Sequence, residues 1–327
     1  TDVIRRYYHL VGIDPGFRIS DSMESDLIKM ETLEDLFENE YEKGTPIFLN
    51  LVESFGSSRS DQSLQELVLR AYEFAQCNPY PQQWLEARAS DFNLKEDEFS
   101  DCVWVRNIME QITIQVQAAG DLFRAALQLC YQPNGPAVYA DALQDDIRTV
   151  EDLLQTLNQG NIFDIAASLG DINHTRLSRV GKDVDDNLKN QVQKLRNEGK
   201  KTIGEAGSEF LFKEPSKLLQ DLNELYPLME EFCRLAIDFN NEYQKRKADK
   251  GILDFNDLEH FALTILSNPE VAAEYRQKFQ YIFVDEYQDS NEVQETLINC
   301  IKRDNNVFLV GDIKQSIYRF RLADPTL

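Results

Sequence analysis

Two short β-branched and aromatic runs, "YIFV" (281–284) and "NVFLV" (306–310), stand on either side of one helical pattern, "NEVQETLINCIKR". Strand, helix and strand in that order constrain a chain tightly. A connection as long as a helix cannot be a hairpin, so the strands must pair in parallel through a right-handed crossover. The residues that follow the two strands then share one edge of a sheet, the edge at which open α/β sheets bind ligands. "YIFV" runs into Asp285 and Glu286, and "NVFLV" runs into Gly311 and Asp312. Both strands read as buried runs that end in carboxylates.

An aspartate that closes a strand can hold Mg²⁺, directly or through water. The glutamate beside it can orient the water that attacks a γ-phosphate. Chance is the competing explanation, because the chain carries 57 acids in 327 residues and a formal net charge of −23. "GDIKQSIYRFR" (311–321) weighs against chance. It gathers the amide of Gln315, the aromatics Tyr318 and Phe320, and the arginines Arg319 and Arg321 into eleven residues. Amides sense phosphates by hydrogen bonding, aromatics stack on bases, and arginines contact phosphates or rings.

Most of the remaining chain reads as helix. "MESDLIKMETLEDLFENEY" repeats apolar residues at 27, 30, 33, 36 and 37, with acids on the other face. Leu64, Leu67, Val68 and Ala71 form a second stripe, and 101–130, 184–201 and 216–250 behave likewise. Breakers fall between these runs at "NPYP" (78–81), at "QPNGP" (132–136), and at Gly204 with Gly207. Gly251 is placed to close the last helix in a left-handed conformation. Asp254 then reads as an N-cap with Asp257 in the third helical position, a capping role preferred here to a functional one. The expected class is α/β, mostly α by content, with an all-helical module over 21–240.

No run approaches the ~18 apolar residues of a membrane span, and "TDVIRRYYHL" is no signal peptide. Five scattered cysteines without a C-x-x-C pair argue against a disulfide framework or a zinc site and fit a reducing cytoplasm. The acidic balance argues against a nucleic-acid-binding surface over the whole chain. Charge is uneven, however. Residues 21–42 hold nine acids and one lysine, whereas 189–201 and 243–250 are locally basic. A nucleic-acid interface would need those basic stretches on one face, away from the acidic helix.

"VDEYQDSNEVQE" resembles motif II of UvrD/Rep-type superfamily 1 DNA helicases, and "VGDIKQSIYRFRLADP" resembles their motif III. "GILDFNDLEHFAL" is similar to the segment that precedes motif II. "VIRRYYHLVGIDPGFRISD" is similar to the stretch that follows the Thr-Phe-His-Ser motif. "KQSIYRFRLADP" comes closest to the AddA (RexA) subunits of ATP-dependent helicase/nucleases. Leu322–Ala323–Asp324 stands where UvrD and RecB proteins usually have Gly-Ala-Asp.

The resemblance implies a partial RecA-like P-loop NTPase motor domain (1A) in two pieces, 1–20 and 241–327, interrupted by a helical 1B insertion, 21–240. It implies ATP and Mg²⁺ as cofactors. DNA, as double-strand ends and single strand, and an AddB/RexB-type subunit would be the partners, in the cytoplasm and with no membrane. Carried over by position, Asp285 binds the metal, Glu286 is the general base, and Gln288 and Asp289 complete motif II. Gln315 contacts the γ-phosphate, while Tyr318, Phe320 and Arg321 couple the site to DNA. A G-x-x-G-x-G-K-T phosphate loop and motifs IV to VI do not occur in the 327 residues. The expectation is therefore an inactive interior piece, with exposed sheet edges, of an enzyme that unwinds and processes DNA ends for recombinational repair. The alternative is an acidic α-helical interaction module whose strand-end acids are incidental.

Overall fold

The computed structural model describes residues 1–56, 60–181, 183–211, 213–312 and 314. In chain order the first elements are α1 (Asp2–Tyr7), β1 (Arg18–Ile19), α2 (Ser22–Lys43), α3 (Pro46–Phe55), α4 (Gln62–Ala75) and α5 (Pro81–Ser90). Then come α6 (Glu96–Phe99), α7 (Val103–Cys130), α8 (Ala140–Gln159), α9 (Ile162–Gly170), α10 (Asp186–Phe210) and α11 (Pro215–Asp249). The last are β2 (Ile252–Leu253), α12 (Phe255–Leu266), α13 (Pro269–Lys278), β3 (Ile282–Val284), α14 (Glu292–Ile301) and β4 (Val307–Leu309). The described residues are thus mostly helical, with a few short parallel strands. They form two compact units, one from 1–90 with 226 onward, the other from 91–225. No described helix is long and apolar enough to cross a membrane.

Local signals set most boundaries. Asp21 caps α2 by accepting the Glu24 N–H at 2.8 Å, and Gly44 ends it in the left-handed region. Gly160 ends α8 in the same way, and Asn161 at once caps α9. Gly251, at φ +63°, closes α11, and Asp254 and Asp257 cap α12 reciprocally.

In the unit of 91–225, α7, α8 and α10 close around Ile112, Val116, Phe123, Leu143, Val150 and Val192. Glycines set the spacing. A Cβ on Gly199 would lie 2.6 Å from the Phe123 ring, and one on Gly120 would lie 2.9 Å from Val150. Gly204 and Gly207, expected to break the helix, lie inside α10, which runs on to Phe210. Each costs about 1 kcal/mol against alanine, too little to stop a helix held by a packed face. Asp146, buried in this unit, accepts from Arg196 and from His174 Nδ1 at 2.8 Å. Arg196 also donates to the Thr175 carbonyl at 2.6 Å. Burial pushes the Asp146 carboxyl up, but the bonds from His174 and Arg196 outweigh it and hold the group below its usual range.

In the other unit, α2 to α5 pack on the C-terminal half of α11 through Phe37, Phe48, Leu64, Val68, Tyr72 and Phe239. The α2 stripe differs from expectation. Ser25, Ile28, Thr32, Leu33, Leu36, Phe37 and Glu40 are buried, while Leu27 and Met30 are 58% and 60% exposed. Buried polar residues displace the apolar count because each finds a partner. Thr32 donates to the Ile28 carbonyl, Ser25 pairs with Ser20, and Glu40 accepts from Arg234. The charge expectation is corrected as well. The basic end of α11 lies against acidic α2, with Arg246 paired to Asp35, rather than away from it. Opposite charges on facing helices attract, and Asp35 and Glu40 of α2 pair with Arg246 and Arg234 of α11.

A third cluster joins the N-terminus to the region after α11. Ile4 and Phe17 pack with Leu253, Ile265, Val271 and Tyr275. Here β1 pairs in parallel with β2, Arg18 opposite Ile252 and Ile19 opposite Leu253.

Candidate nucleotide site at the strand ends

β3 and β4 pair in parallel with Ile282 opposite Val307, Phe283 opposite Phe308 and Val284 opposite Leu309. With α14 between them, this is the strand–helix–strand unit read from the sequence. The reading of the strands as buried runs is corrected. Side chains alternate between the faces of a strand. Ile282 and Val284 are half-buried, whereas Phe283 is 73% exposed and Phe308 52%. Those two rings stack on the open face, 5.2 Å apart and 15° from parallel, each shielding the other from water. The apolar runs mark a sheet with one face uncovered by the described residues.

The pairing brings Asp285 and Glu286 to the same edge as Gly311 and Asp312. Val310 N–H donates to the Val284 carbonyl, and Tyr287 N–H donates to the Val310 carbonyl, both at 2.9 Å. The ladder thus carries one step past the strands. The chain then turns sharply at Glu286, which adopts φ +52° and ψ +41°. A non-glycine residue there costs about 1–2 kcal/mol and needs its surroundings to hold it. Three contacts do so. Glu286 N–H donates to Asp285 Oδ1 at 3.0 Å. The Glu286 carbonyl accepts from Asp289 N–H at 2.9 Å. Its carboxylate Oε2 accepts from Gln288 Nε2 at 2.6 Å.

Gln288 is buried, and its other end is also engaged. Its Oε1 accepts the Asp312 N–H at 2.9 Å, which ties the turn after β3 to the turn after β4. Gly311 permits that approach, since a Cβ there would lie 2.6 Å from Gln288 Oε1 and 3.1 Å from its backbone nitrogen. Gly311→Ala is expected to destabilise the 327-residue chain by about 1–3 kcal/mol through this clash. Thermal denaturation measures it, and an unchanged midpoint would mean that the contact is slack. Beside the bridge, the Tyr287 hydroxyl donates to Glu295; burial first, then that bond, pushes it up to about 12. Asp289 Oδ1 is buried with no hydrogen-bond partner among the described residues.

Asp285 and Glu286 are exposed at the edge, with Asp285 Oδ2 left for a ligand. Among the described residues no group of three or more His, Cys, Asp or Glu comes together as a metal cage. An ion at Asp285 would share its ligands with phosphate oxygens and water, the coordination Mg²⁺ favours. Gln315, Tyr318, Phe320 and Arg321 lie outside the described residues.

Asp254 and Asp257 sit apart from this edge, in the capping arrangement expected, but the sequence reading missed their third partner. Lys247, 1% exposed, donates to Asp254 Oδ2 at 2.8 Å and to Asp257 Oδ1 and Oδ2 at 2.7 and 2.6 Å. Its ammonium lies 4.2 Å from the centre of the Tyr243 ring. Two acids of a capping box close behind a helix rich in lysine were the available signal.

Residues 1–327 match the UvrD/REP helicase N-terminal domain. The chain is 49% identical over its whole length to the ATP-dependent helicase/nuclease subunit (AddA) of Alkaliphilus oremlandii, covering 27% of that protein. It is 50% identical to the protein of the same name from Syntrophomonas wolfei, again over its whole length, and covers 26% of it. For Bacillus pumilus the identity is 36%, over 99% of this chain and 28% of the relative. The chain therefore spans about a quarter of the length of these relatives. It belongs to the UvrD/REP helicase N-terminal domain family.

Proposed function

We propose that this chain is part of an AddA-type subunit of an ATP-dependent DNA helicase/nuclease, which unwinds and processes double-strand DNA ends for recombinational repair. One observation carries the nucleotide reading: parallel β3 and β4 bring Asp285, Glu286 and Asp312 to one sheet edge, with Glu286 held by Gln288. Asp285 holds Mg²⁺, which when bound neutralises charge that builds on the phosphates. Glu286 Oε1, the oxygen that Gln288 does not engage, takes a proton from the attacking water. Gln315 contacts the γ-phosphate, Tyr318, Phe320 and Arg321 pass the nucleotide state to single-stranded DNA, and Gln288 and Asp289 support motif II.

In this reading 1–20 and 241–327 are two pieces of motor domain 1A, and 21–240 is the 1B insertion. The shared core of Ile4 and Phe17 with the residues after α11 supports joining the two pieces. The partners are DNA ends and an AddB-type subunit, and the cytoplasm is the compartment. The names of the relatives favour this reading over an acidic interaction module.

The 327 residues contain no G-x-x-G-x-G-K-T loop. The full-length protein with its partner subunit is expected to hydrolyse ATP faster when single-stranded DNA is added, and the 327-residue chain alone to hydrolyse none. Phosphate release measures both. Turnover by the 327-residue chain, or none by the full-length protein, would overturn the proposal.

A further inference from the structure

We infer that Gln288 is a positioning residue for Glu286, aiming its carboxylate according to where the turn after β4 stands. The inference rests on the reading of Glu286 as the base and deepens it. Four features of the fold point to it.

The first is geometry. The Gln288 amide spans the site, donating from Nε2 to Glu286 Oε2 at 2.6 Å and accepting at Oε1 from the Asp312 N–H at 2.9 Å. An amide is the side chain suited to this task, since it presents a donor and an acceptor in one rigid plane. Moving one end moves the other.

The second is burial. Gln288 is 5% exposed, whereas the carboxylate it holds faces solvent. A buried amide loses more than an exposed one when a partner is removed, so it keeps to its geometry.

The third is the fit at Gly311. Its Cα approaches the Gln288 amide so closely that a Cβ would lie 2.6 Å from Oε1. The turn after β4 therefore cannot shift towards the amide without pushing it, nor away without stretching the bond to Asp312.

The fourth is the backbone of Glu286. Its left-handed conformation aims the side chain along a path that an ordinary φ would not give. Gln288 reaches back two residues, across that bend, to the end of the same side chain. Backbone and side chain are thus fixed by separate contacts: Tyr287 N–H ties the turn to the Val310 carbonyl, and Gln288 ties the Glu286 side chain to the Asp312 N–H.

The charged groups of this neighbourhood are arranged consistently. Asp285 accepts from the Glu286 N–H, and Asp312 accepts from the Lys314 N–H. Neither of these bonds engages the Glu286 carboxylate, which leaves Gln288 as its side-chain donor among the described residues.

Two variants of the full-length protein with its partner subunit separate positioning from simple structural support. Gln288→Met removes both ends of the bridge. Gln288→Glu keeps an acceptor for the Asp312 N–H but cannot donate to Glu286. Both are expected to lower the DNA-stimulated kcat for ATP by about 10–100-fold, since misplacing a reacting group by an ångström costs as much. KM for ATP should stay within about threefold, because the substrate contacts are kept. If the bridge only holds the two turns together, Gln288→Met will lower the midpoint of thermal unfolding and leave kcat unchanged, and positioning is overturned.

Glu286→Gln, measured alongside, separates the two levels. Loss of turnover in Glu286→Gln with unchanged kcat in Gln288→Met would overturn the positioning role and leave the base in place. Full turnover in Glu286→Gln would remove the base and this inference with it.

Discussion

Glu286→Gln in the full-length protein is expected to lower kcat for ATP hydrolysis by about 10²–10⁴-fold while leaving the Kd for ATP unchanged. The substitution is close to isosteric. A glutamine can still accept from Gln288 Nε2 and can keep the left-handed backbone that Asp285 and Asp289 fix. It cannot take a proton from water. Loss should therefore fall on the chemical step and spare ground-state binding. Steady-state phosphate release gives kcat, and titration with a fluorescent nucleotide gives Kd. Unchanged turnover would remove Glu286 as the base. A parallel loss of binding would mean that the side chain shapes the site rather than acting in it.

The second large effect concerns stability and lies away from the strand ends. Lys247→Met is expected to destabilise the 327-residue chain by about 3–5 kcal/mol, the range for breaking a buried ion pair by removing one partner. The Lys247 side chain is nearly inaccessible, and its ammonium bonds to both acids of the α12 capping box. Burial pushes both carboxyls up. The Lys247 charge overcomes it at Asp254, which lies below its usual range, while burial prevails at Asp257, which lies above. Without the lysine, two buried carboxylates would face each other, and one would have to protonate or the helix start would have to open. Methionine fills the volume and isolates the charge. Urea unfolding measures the loss. Adding Asp257→Asn to Lys247→Met should recover part of it by removing one orphaned charge, whereas additive losses would refute the ion-pair account.

Much of this was legible because the signals are local. Asp254 and Gly251 act within four residues, and the strand–helix–strand order alone sets the parallel pairing and the edge that holds Asp285 and Glu286. What escaped depends on partners far along the chain. Glu40 counts as a surface residue in a periodicity, and Arg234, 194 positions away, helps to offset the cost of burying it. Likewise Arg246 read as part of a basic surface because Asp35 lies 211 positions away. Within the site, the acids were legible by type and place. The bend at Glu286 and the reach of Gln288 to Asp312 were not, because they depend on a backbone conformation that favours glycine and on how closely Gly311 approaches the amide, which spacing along the chain does not give.

The pairing of β1 with β2 has a consequence for how the chain folds. The Ser20 N–H donates to the Leu253 carbonyl at 2.9 Å, and these residues stand 233 positions apart. As an open loop, that separation would make the contact a late and slow one. The helices between need not wait. The unit of 91–225 is continuous in sequence and closes its own core, so it can form first, and once formed it shortens the free chain that must close. Loop-closure entropy rises only with the logarithm of length, about 0.6 kcal/mol per doubling. Lengthening or trimming a connection among those helices should therefore change the closing of the strands little, so the intervening stretch could vary in size without disturbing the two short strands on which it begins and ends.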